Sequence, residues 1–249
     1  MSSRIQKLEF LLTQMDKIHL RDASEILNVS EMTIRRDLNS DETKSLVLLG
    51  GYIVKDPQKN KSYNYQIFEH QGKNIVEKMQ VGKIAASVIE NGDIVFFDCG
   101  STIPFIASQI DNKIKFTAIC CSLNTFLILQ EKTNCELFLA GGRYSRHNSF
   151  FSTISTNTDI EKICTTKAFI SAAGIDAIQG VTCFNFEEAK VKVNAINKTQ
   201  QSILVFDHSK IGQIKQAYIA DIDKFNLIVT NHPLPKEFGN NLPIRLIDE

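Results

Sequence analysis

Five stretches, each closing an apolar run, carry residues able to hold an anion together with a set of hydroxyl groups. Asp98-Cys99-Gly100-Ser101-Thr102 follows Ile94-Val95-Phe96-Phe97, and Ser122-Leu123-Asn124-Thr125 comes soon after Phe116-Thr117-Ala118-Ile119-Cys120. Ala140-Gly141-Gly142-Arg143, Ala172-Ala173-Gly174-Ile175-Asp176 and Asp207-His208-Ser209-Lys210 occupy the same place after other runs. Gly, Ser and Thr ahead of a helix present free backbone amides where the helix dipole favours negative charge, and glycine lets a ligand come close. Carboxylates at Asp98, Asp176 and Asp207 can accept sugar hydroxyl protons, and Lys192 and Lys210 can neutralise a phosphate. The combination suits a phosphorylated sugar. It is not a Walker A loop, whose spacing and lysine are missing.

A second stretch has a different chemistry. Val29-Ser30-Glu31-Met32-Thr33-Ile34-Arg35-Arg36-Asp37-Leu38 reads as a turn feeding a short helix with Ser30 as its N-cap. At about 100° per residue, Ile34 and Leu38 point into a core. Met32, Thr33, Arg36 and Asn39 fall on the opposite face, with Arg35 at its edge. Such a helix can enter the major groove of DNA, where Arg bonds a guanine edge or a phosphate and Thr or Met touches a thymine methyl.

These residues need elements to position them. Ile5, Leu8, Leu12 and Met15 have the three-four spacing of an amphipathic helix, and Ile18-His19-Leu20 alternates like a short strand. A further helix from Asp22 to Asn28 turns Ala23, Ile26 and Leu27 inward before the turn at Asn28-Val29-Ser30. Helix, helix, short turn and cationic helix make a helix-turn-helix. Leu46 to Val54, β-like and interrupted by Gly50-Gly51, adds a wing. Asp56 to Ser62 is polar and contains Pro57, which marks a linker. The expected organisation is a winged helix-turn-helix over 1–56, a linker over 57–62 and an α/β domain over 63–249. Within the last, helices are expected over 76–89, 103–110, 123–130 and 187–199, and buried strands over 94–97, 116–120, 137–140, 168–171 and 202–206. Fully apolar strands alternating with helices imply a mostly parallel sheet. Ligands of such sheets sit beyond the carboxyl ends of the strands, where the five stretches lie.

Arg4, Leu8, Leu12, Ser30, Thr33, Ile34, Arg35, Arg36, Asp37 and Leu38 match, at the right spacings, the signature of the DeoR family of bacterial transcriptional regulators. The resemblance continues through Phe97 to Thr102, Leu139 to Gly142 and Asp207 to Lys210, and so covers nearly the whole chain. It implies operator DNA as a partner, read by Ser30, Met32, Thr33, Arg35, Arg36 and Asn39. It also implies a Rossmann-like sensor domain similar to ribose-5-phosphate isomerase and CoA-transferase domains. There Gly100-Ser101-Thr102 would be the phosphate loop. Asp98, Asn124, Gly141, Lys192, Asp207 and Lys210 would fill pocket positions, with Ser122, Gly142, Gly174 and Asp176 beside them. The runs Leu48 to Val54, Ser122 to Leu127 and Thr182 to Glu188 look like the family's deoxyribonucleoside-operon repressors, which implies deoxyribose 5-phosphate as inducer. The pocket residues alone do not choose among pentose phosphates. One departure lies at the wing: many members carry Arg-x-His-Gly-Gly where this chain has Val47-Leu48-Leu49-Gly50-Gly51.

Composition sets bounds on these readings. A 249-residue chain with 43% hydrophobic residues can bury a sizeable core, and a mean hydropathy of −0.10 argues against disorder. No apolar run is long enough to span a bilayer, and Met1-Ser2-Ser3-Arg4 opens directly on an amphipathic helix, so the expected compartment is the cytoplasm, at the nucleoid. The 6 cysteines, 99, 120, 121, 135, 164 and 183, have no metal-ligand spacing, and most sit in apolar surroundings and read as reduced, buried packing residues; no histidine pairs with another ligand, so neither metal nor cofactor is expected. Charge runs against DNA binding: over 1–56, nine acids face eight bases, and the whole chain balances at 28 each. Since counterion release follows the phosphates neutralised locally, few contacts per subunit mean weak monomer binding. A homo-oligomer on the operator is therefore expected. The competing function is a sugar-phosphate isomerase on the same fold, with a carboxylate base and a lysine. A helix-turn-helix has no use in that reading, which turnover of ribose 5-phosphate would support.

Arg36 lies opposite Ile34 and Leu38 and carries the first prediction. Arg36→Ala should cost specific operator binding about 1–3 kcal/mol if the guanidinium reads a base edge. A gel-shift titration with unchanged affinity and an intact circular dichroism spectrum would remove Arg36 from the base-reading set.

Overall fold

The computed structural model describes residues 4–5, 7–8, 12, 17–38, 46–49, 51–55, 74–146, 148–152, 162–239 and 242–246. The chain divides into two compact units, Met1–Asn64 and Tyr65–Glu249.

In the first unit Arg4, Ile5, Lys7, Leu8 and Leu12 are helical, and Ile5, Leu8 and Leu12 are buried. Met15 lies outside the described residues, as do Asn39 and Gly50. Strand β1 (Ile18–His19) leads into helix α1 (Leu20–Leu27), and after the turn comes α2 (Glu31–Leu38). Strands β2 (Leu46–Leu49) and β3 (Tyr52–Lys55) form an antiparallel hairpin, and β1 adds to it in the order β1-β3-β2, which is the wing. Gly51 takes φ 86 at the hairpin turn, a conformation suited to glycine. One inward assignment is corrected. Ile26 is 56% exposed, because the buried face of the helix is set by Leu20 and Ala23, and Leu20 lies outside the stretch expected to be helical. Counted from Leu20, the face holding Ala23 and Leu27 passes through Leu20 itself and leaves Ile26 about 120° away. Leu20 takes its place in a core with Ala23, Ile34, Leu38, Leu46 and Ile53.

The second unit is built on a seven-stranded parallel sheet. Its strands are β4 (Ile94–Phe97), β5 (Phe116–Cys120), β6 (Cys135–Leu139), β9 (Thr165–Ser171), β12 (Thr199–Phe206), β14 (Leu227–Thr230) and β15 (Ile244–Arg245), in the order β15-β14-β12-β9-β4-β5-β6. Alternate residues feed two cores, as expected of strands apolar throughout. Val95, Phe97, Phe169, Ile203 and Val205 pack against helices α3 (Ile75–Ala86), α4 (Ile103–Gln109) and α5 (Leu123–Leu129). Phe96, Ala168, Ile170, Leu204 and Phe206 pack on the other face with α6 (Phe186–Lys198). That face also carries a small antiparallel sheet, which the apolar patterning did not suggest. It is ordered β10-β11-β13, with β10 (Gly174–Asp176), β11 (Gly180–Cys183) and β13 (Ala217–Ala220). A further hairpin, β7 (Arg143–Ser145) with β8 (Phe150–Ser152), follows β6. Within the parallel sheet the chain enters an α-helix directly after β4 and β5 and a short 3-10 helix, His208–Lys210, after β12, whereas after β6 and β9 it enters hairpins. Among the described residues, no helix is long and apolar enough to cross a membrane.

Candidate functional site

The cationic helix is organised as its sequence implies. The Ser30 Oγ accepts from the Thr33 amide at 3.3 Å and lies 2.9 Å from the Thr33 hydroxyl, so the cap holds Thr33 at the helix start. Ile34 and Leu38 are buried, whereas Met32 is 78% exposed and Arg35 and Arg36 stand out in solvent. Asp37, the acid among them, accepts from the Arg4 Nε at 2.7 Å and so fastens this helix to the first one. Asn39 falls outside the described residues.

At the carboxyl end of β4, Asp98 is 1% exposed and almost fully engaged. It accepts from the Ser171 amide and hydroxyl, both at 2.6 Å, from the Cys99 amide and from the Lys192 ammonium. Lys192 also donates to the Ser171 carbonyl at 3.1 Å. Burial opposes ionisation of Asp98, but Lys192 and Ser171 outweigh it and hold the carboxyl below the usual carboxylate range. Burial likewise opposes the charge on Lys192, and Asp98 overrides it and raises the ammonium above the usual lysine range. The first partners of Asp98 and Lys192 are each other. Gly100 has a packing reason of its own: a Cβ there would lie 1.7 Å from the Ser171 Oγ.

Asp207, at the end of β12, is fully buried. One carboxylate oxygen accepts from the Asn74 side-chain amide at 2.9 Å, from the Ser209 amide at 3.1 Å and from the Ser209 hydroxyl. The other is buried without a hydrogen bond and lies 3.9 Å from the Lys210 Nζ. Lys78, on α3, is 1% exposed; burial pushes its ammonium down to about 8, with Asp207 opposing and Lys210 adding to the shift. Thr230, at the end of β14, is also buried with an unpartnered hydroxyl. Since β9 pairs with both β4 and β12, the two lysine–carboxylate groups lie two strands apart at the carboxyl edge of the sheet.

A third polar group flanks Asp98. Asn148, buried in the β7–β8 turn, donates to Glu188, and its carbonyl oxygen has no partner; the buried Thr125 hydroxyl has none either. Burial raises the Glu188 carboxyl, with Lys192 and Asn148 opposing. Asp98, Cys99 and Cys121 place three potential metal-ligand atoms within 4.8 Å, a grouping that spacing along the chain did not reveal. The Lys192 ammonium already sits on Asp98 in the role a cation would take. Cys99, Cys120, Cys121 and Cys183 are buried thiols as expected, but Cys164 is exposed.

The other expected positions are more scattered. Ser122 and Thr102 are buried at the starts of α5 and α4, and Ser101 and Asn124 are half-buried beside them. Gly141 and Gly142 are exposed. Gly174 and Asp176 belong to β10; the Asp176 carboxylate accepts the amides of Ile178 and Gln179 within the hairpin turn, which accounts for it without a ligand. An apolar cavity lined by Phe96, Ile119, Cys121, Ala140, Phe151 and Val191 holds none of the expected residues. Sequence reasoning missed Asn74, Lys78, Asn148, Ser171, Glu188 and Thr230. Only Lys78 left a signal, a lysine in the same stripe as Val81 and Ala85.

Two family descriptions match the chain: a DeoR-like helix-turn-helix domain over residues 4–58 and a DeoR C terminal sensor domain over 73–232. The deoxyribose operon repressor of Escherichia coli strain K12 is 44% identical over 228 residues, 92% of this chain and 89% of that protein. The transcriptional repressor GlcR of Bacillus subtilis strain 168 is 30% identical over 92% of this chain and 87% of its own length. Among solved structures, ribose 5-phosphate isomerase A of Methanocaldococcus jannaschii is 15% identical, with a TM-score of 0.39 over 56% of this chain and 55% of that one.

The buried pair predicts a pH-dependent defect. Lys192→Met leaves Asp98 buried without its counter-charge and should cost about 3–5 kcal/mol of stability. The loss should shrink as pH falls, because a protonated Asp98 has no charge to bury. Denaturant unfolding of the full chain at pH 5 and pH 8 checks both statements; an equal loss at the two values would contradict the second.

Proposed function

Since the chain belongs to the DeoR family of helix-turn-helix transcriptional repressors, regulators and not enzymes, we propose that it silences a deoxyribonucleoside or deoxyribose catabolic operon until deoxyribose 5-phosphate releases it. Residues 1–56 bind the operator, 57–62 link, and 63–249 sense the sugar phosphate and assemble the oligomer. Ser30, Met32, Thr33, Arg35, Arg36 and Asn39 face the operator. The acid surplus in the DNA-binding part supports at least two copies on it, acting in the cytoplasm at the nucleoid.

The observation that carries the sensor reading is Asp207 at the end of β12, which keeps one buried oxygen without a hydrogen bond beside Lys210 and Lys78, two strands away from the Asp98–Lys192 pair. A buried acceptor next to lysines suits a sugar that carries a phosphate. The amides of Gly100, Ser101 and Thr102 donate no hydrogen bond to the described residues, which supports their role in receiving the phosphate while Lys78 and Lys210 neutralise it. The free oxygen of Asp207 and the hydroxyl of Thr230 are suited to sugar hydroxyls. Ser122 and Asn124, at the start of α5, and the exposed Gly141 and Gly142 belong to the outer part of the proposed site, whereas Gly174 and Asp176 are accounted for by β10 and its turn. Release follows when the sugar phosphate binds the DNA-incompetent state more tightly than the competent one. The 44% identity to the E. coli deoxyribose operon repressor supports deoxyribose 5-phosphate over other pentose phosphates.

Calorimetry on the full chain tests the site. Deoxyribose 5-phosphate should bind, and deoxyribose far more weakly; equal affinities would end the phosphate assignment. Ser101→Glu should still repress but no longer respond, because a carboxylate then faces the dianion. Affinity should also fall as pH rises through about 8, where Lys78 loses its proton, and Lys78→Met should abolish that dependence. A flat profile from pH 7 to 9 in the native chain would remove Lys78 from the site.

A further inference from the structure

The wing lacks the basic residues common in this family, yet cations and donors gather at its base. His19 and Tyr52 are paired across β1 and β3, with their rings edge to face at 5.0 Å. The Lys17 ammonium lies over the Tyr52 ring, 4.6 Å from its centroid. All three side chains are exposed, while the neighbouring Ile18 and Ile53 point into the core. The His19 Nδ1 accepts the Arg21 amide at 3.3 Å and caps α1, so a neutral imidazole carries its proton on Nε2. That nitrogen faces the wing turn, 3.7 Å from where a Cβ on Gly51 would stand. The turn itself is tied to the start of α1, since the Leu20 amide donates to the Gly51 carbonyl at 2.8 Å.

The result is an ammonium, an imidazole N–H and a phenol hydroxyl on one solvent-facing patch, none donating to an acceptor among the described residues. In a helix-turn-helix on DNA, the helix before the recognition helix crosses the sugar-phosphate backbone, and α1 begins at this patch. The recognition helix offers only Arg35 and Arg36 as cations, in a domain whose acids outnumber its bases. We propose that Lys17, His19 and Tyr52 form a clamp on a DNA backbone phosphate, replacing the basic wing and holding the duplex irrespective of its sequence. The aromatic ring orients the ammonium, and the His19 cap fixes which nitrogen donates.

The test is a salt series on the full chain with an operator duplex and an unrelated duplex of equal length. Lys17→Gln should weaken both on the order of three- to tenfold, lower the slope of log K against log salt by about one, and leave their ratio unchanged. Tyr52→Phe keeps the ring under the ammonium and should weaken both duplexes without changing the slope. Lys17→Arg should restore the slope. An unchanged slope in Lys17→Gln would overturn the clamp, and so would a loss confined to the operator, which would make Lys17 a base reader. Because the unrelated duplex reads the same contact, the result does not depend on which operon is controlled.

Discussion

An aspartate and a lysine that solvent hardly reaches, Asp98 and Lys192, meet at the carboxyl edge of the parallel sheet. Removing either charge from water alone is expensive, so each residue demands the other. Their meeting joins β4 to α6, the helix between β11 and β13, and Ser171 adds β9 through its amide, hydroxyl and carbonyl. Gly100 must then be glycine, because Ser171 occupies the place of its side chain. The direction in which the loop after β4 leaves the sheet thus follows from an electrostatic requirement two residues earlier.

One strand beyond β9 the arrangement is repeated with a different balance. Asp207 faces two lysines, Lys78 and Lys210, and keeps one oxygen unpartnered, where Asp98 is saturated by its neighbours. The first group is saturated by its neighbours; the second keeps an open acceptor beside two lysines. A parallel sheet permits this division, because adjacent strands deliver their terminal residues to one edge at a fixed spacing.

The sequence was legible wherever local pattern and tertiary environment agreed. The apolar runs at Ile94 to Phe97 and Ser202 to Phe206 are strands because both faces are covered, and Ile34 and Leu38 mark the inward side of the DNA-reading helix. Ile26 misled because Leu20, which marks the buried face of this helix together with Ala23, lay outside the stretch read as helical. Strands β10 and β11 are short and contain glycine, so they resembled one more loop at a strand end. The role of Asp98 depended on a lysine 94 residues away and that of Asp207 on an asparagine 133 residues away, separations at which no spacing rule operates. Lys78 left one sign, its place in the buried stripe of α3 with Val81 and Ala85, but no motif around it pointed to a ligand.

The recognition helix separates anchoring from reading. Ile34 and Leu38 hold it to the core, and Asp37 ties it to Arg4 on the first helix, while Met32, Arg35 and Arg36 touch no part of that anchor. Substitutions on the outward side therefore leave the frame of the domain intact. With the outward residues reading DNA as proposed, a gene duplicate could acquire a new DNA address by changing a few surface residues while inheriting the fold and the sensor domain unaltered, so promoter choice and effector choice can diverge at separate rates.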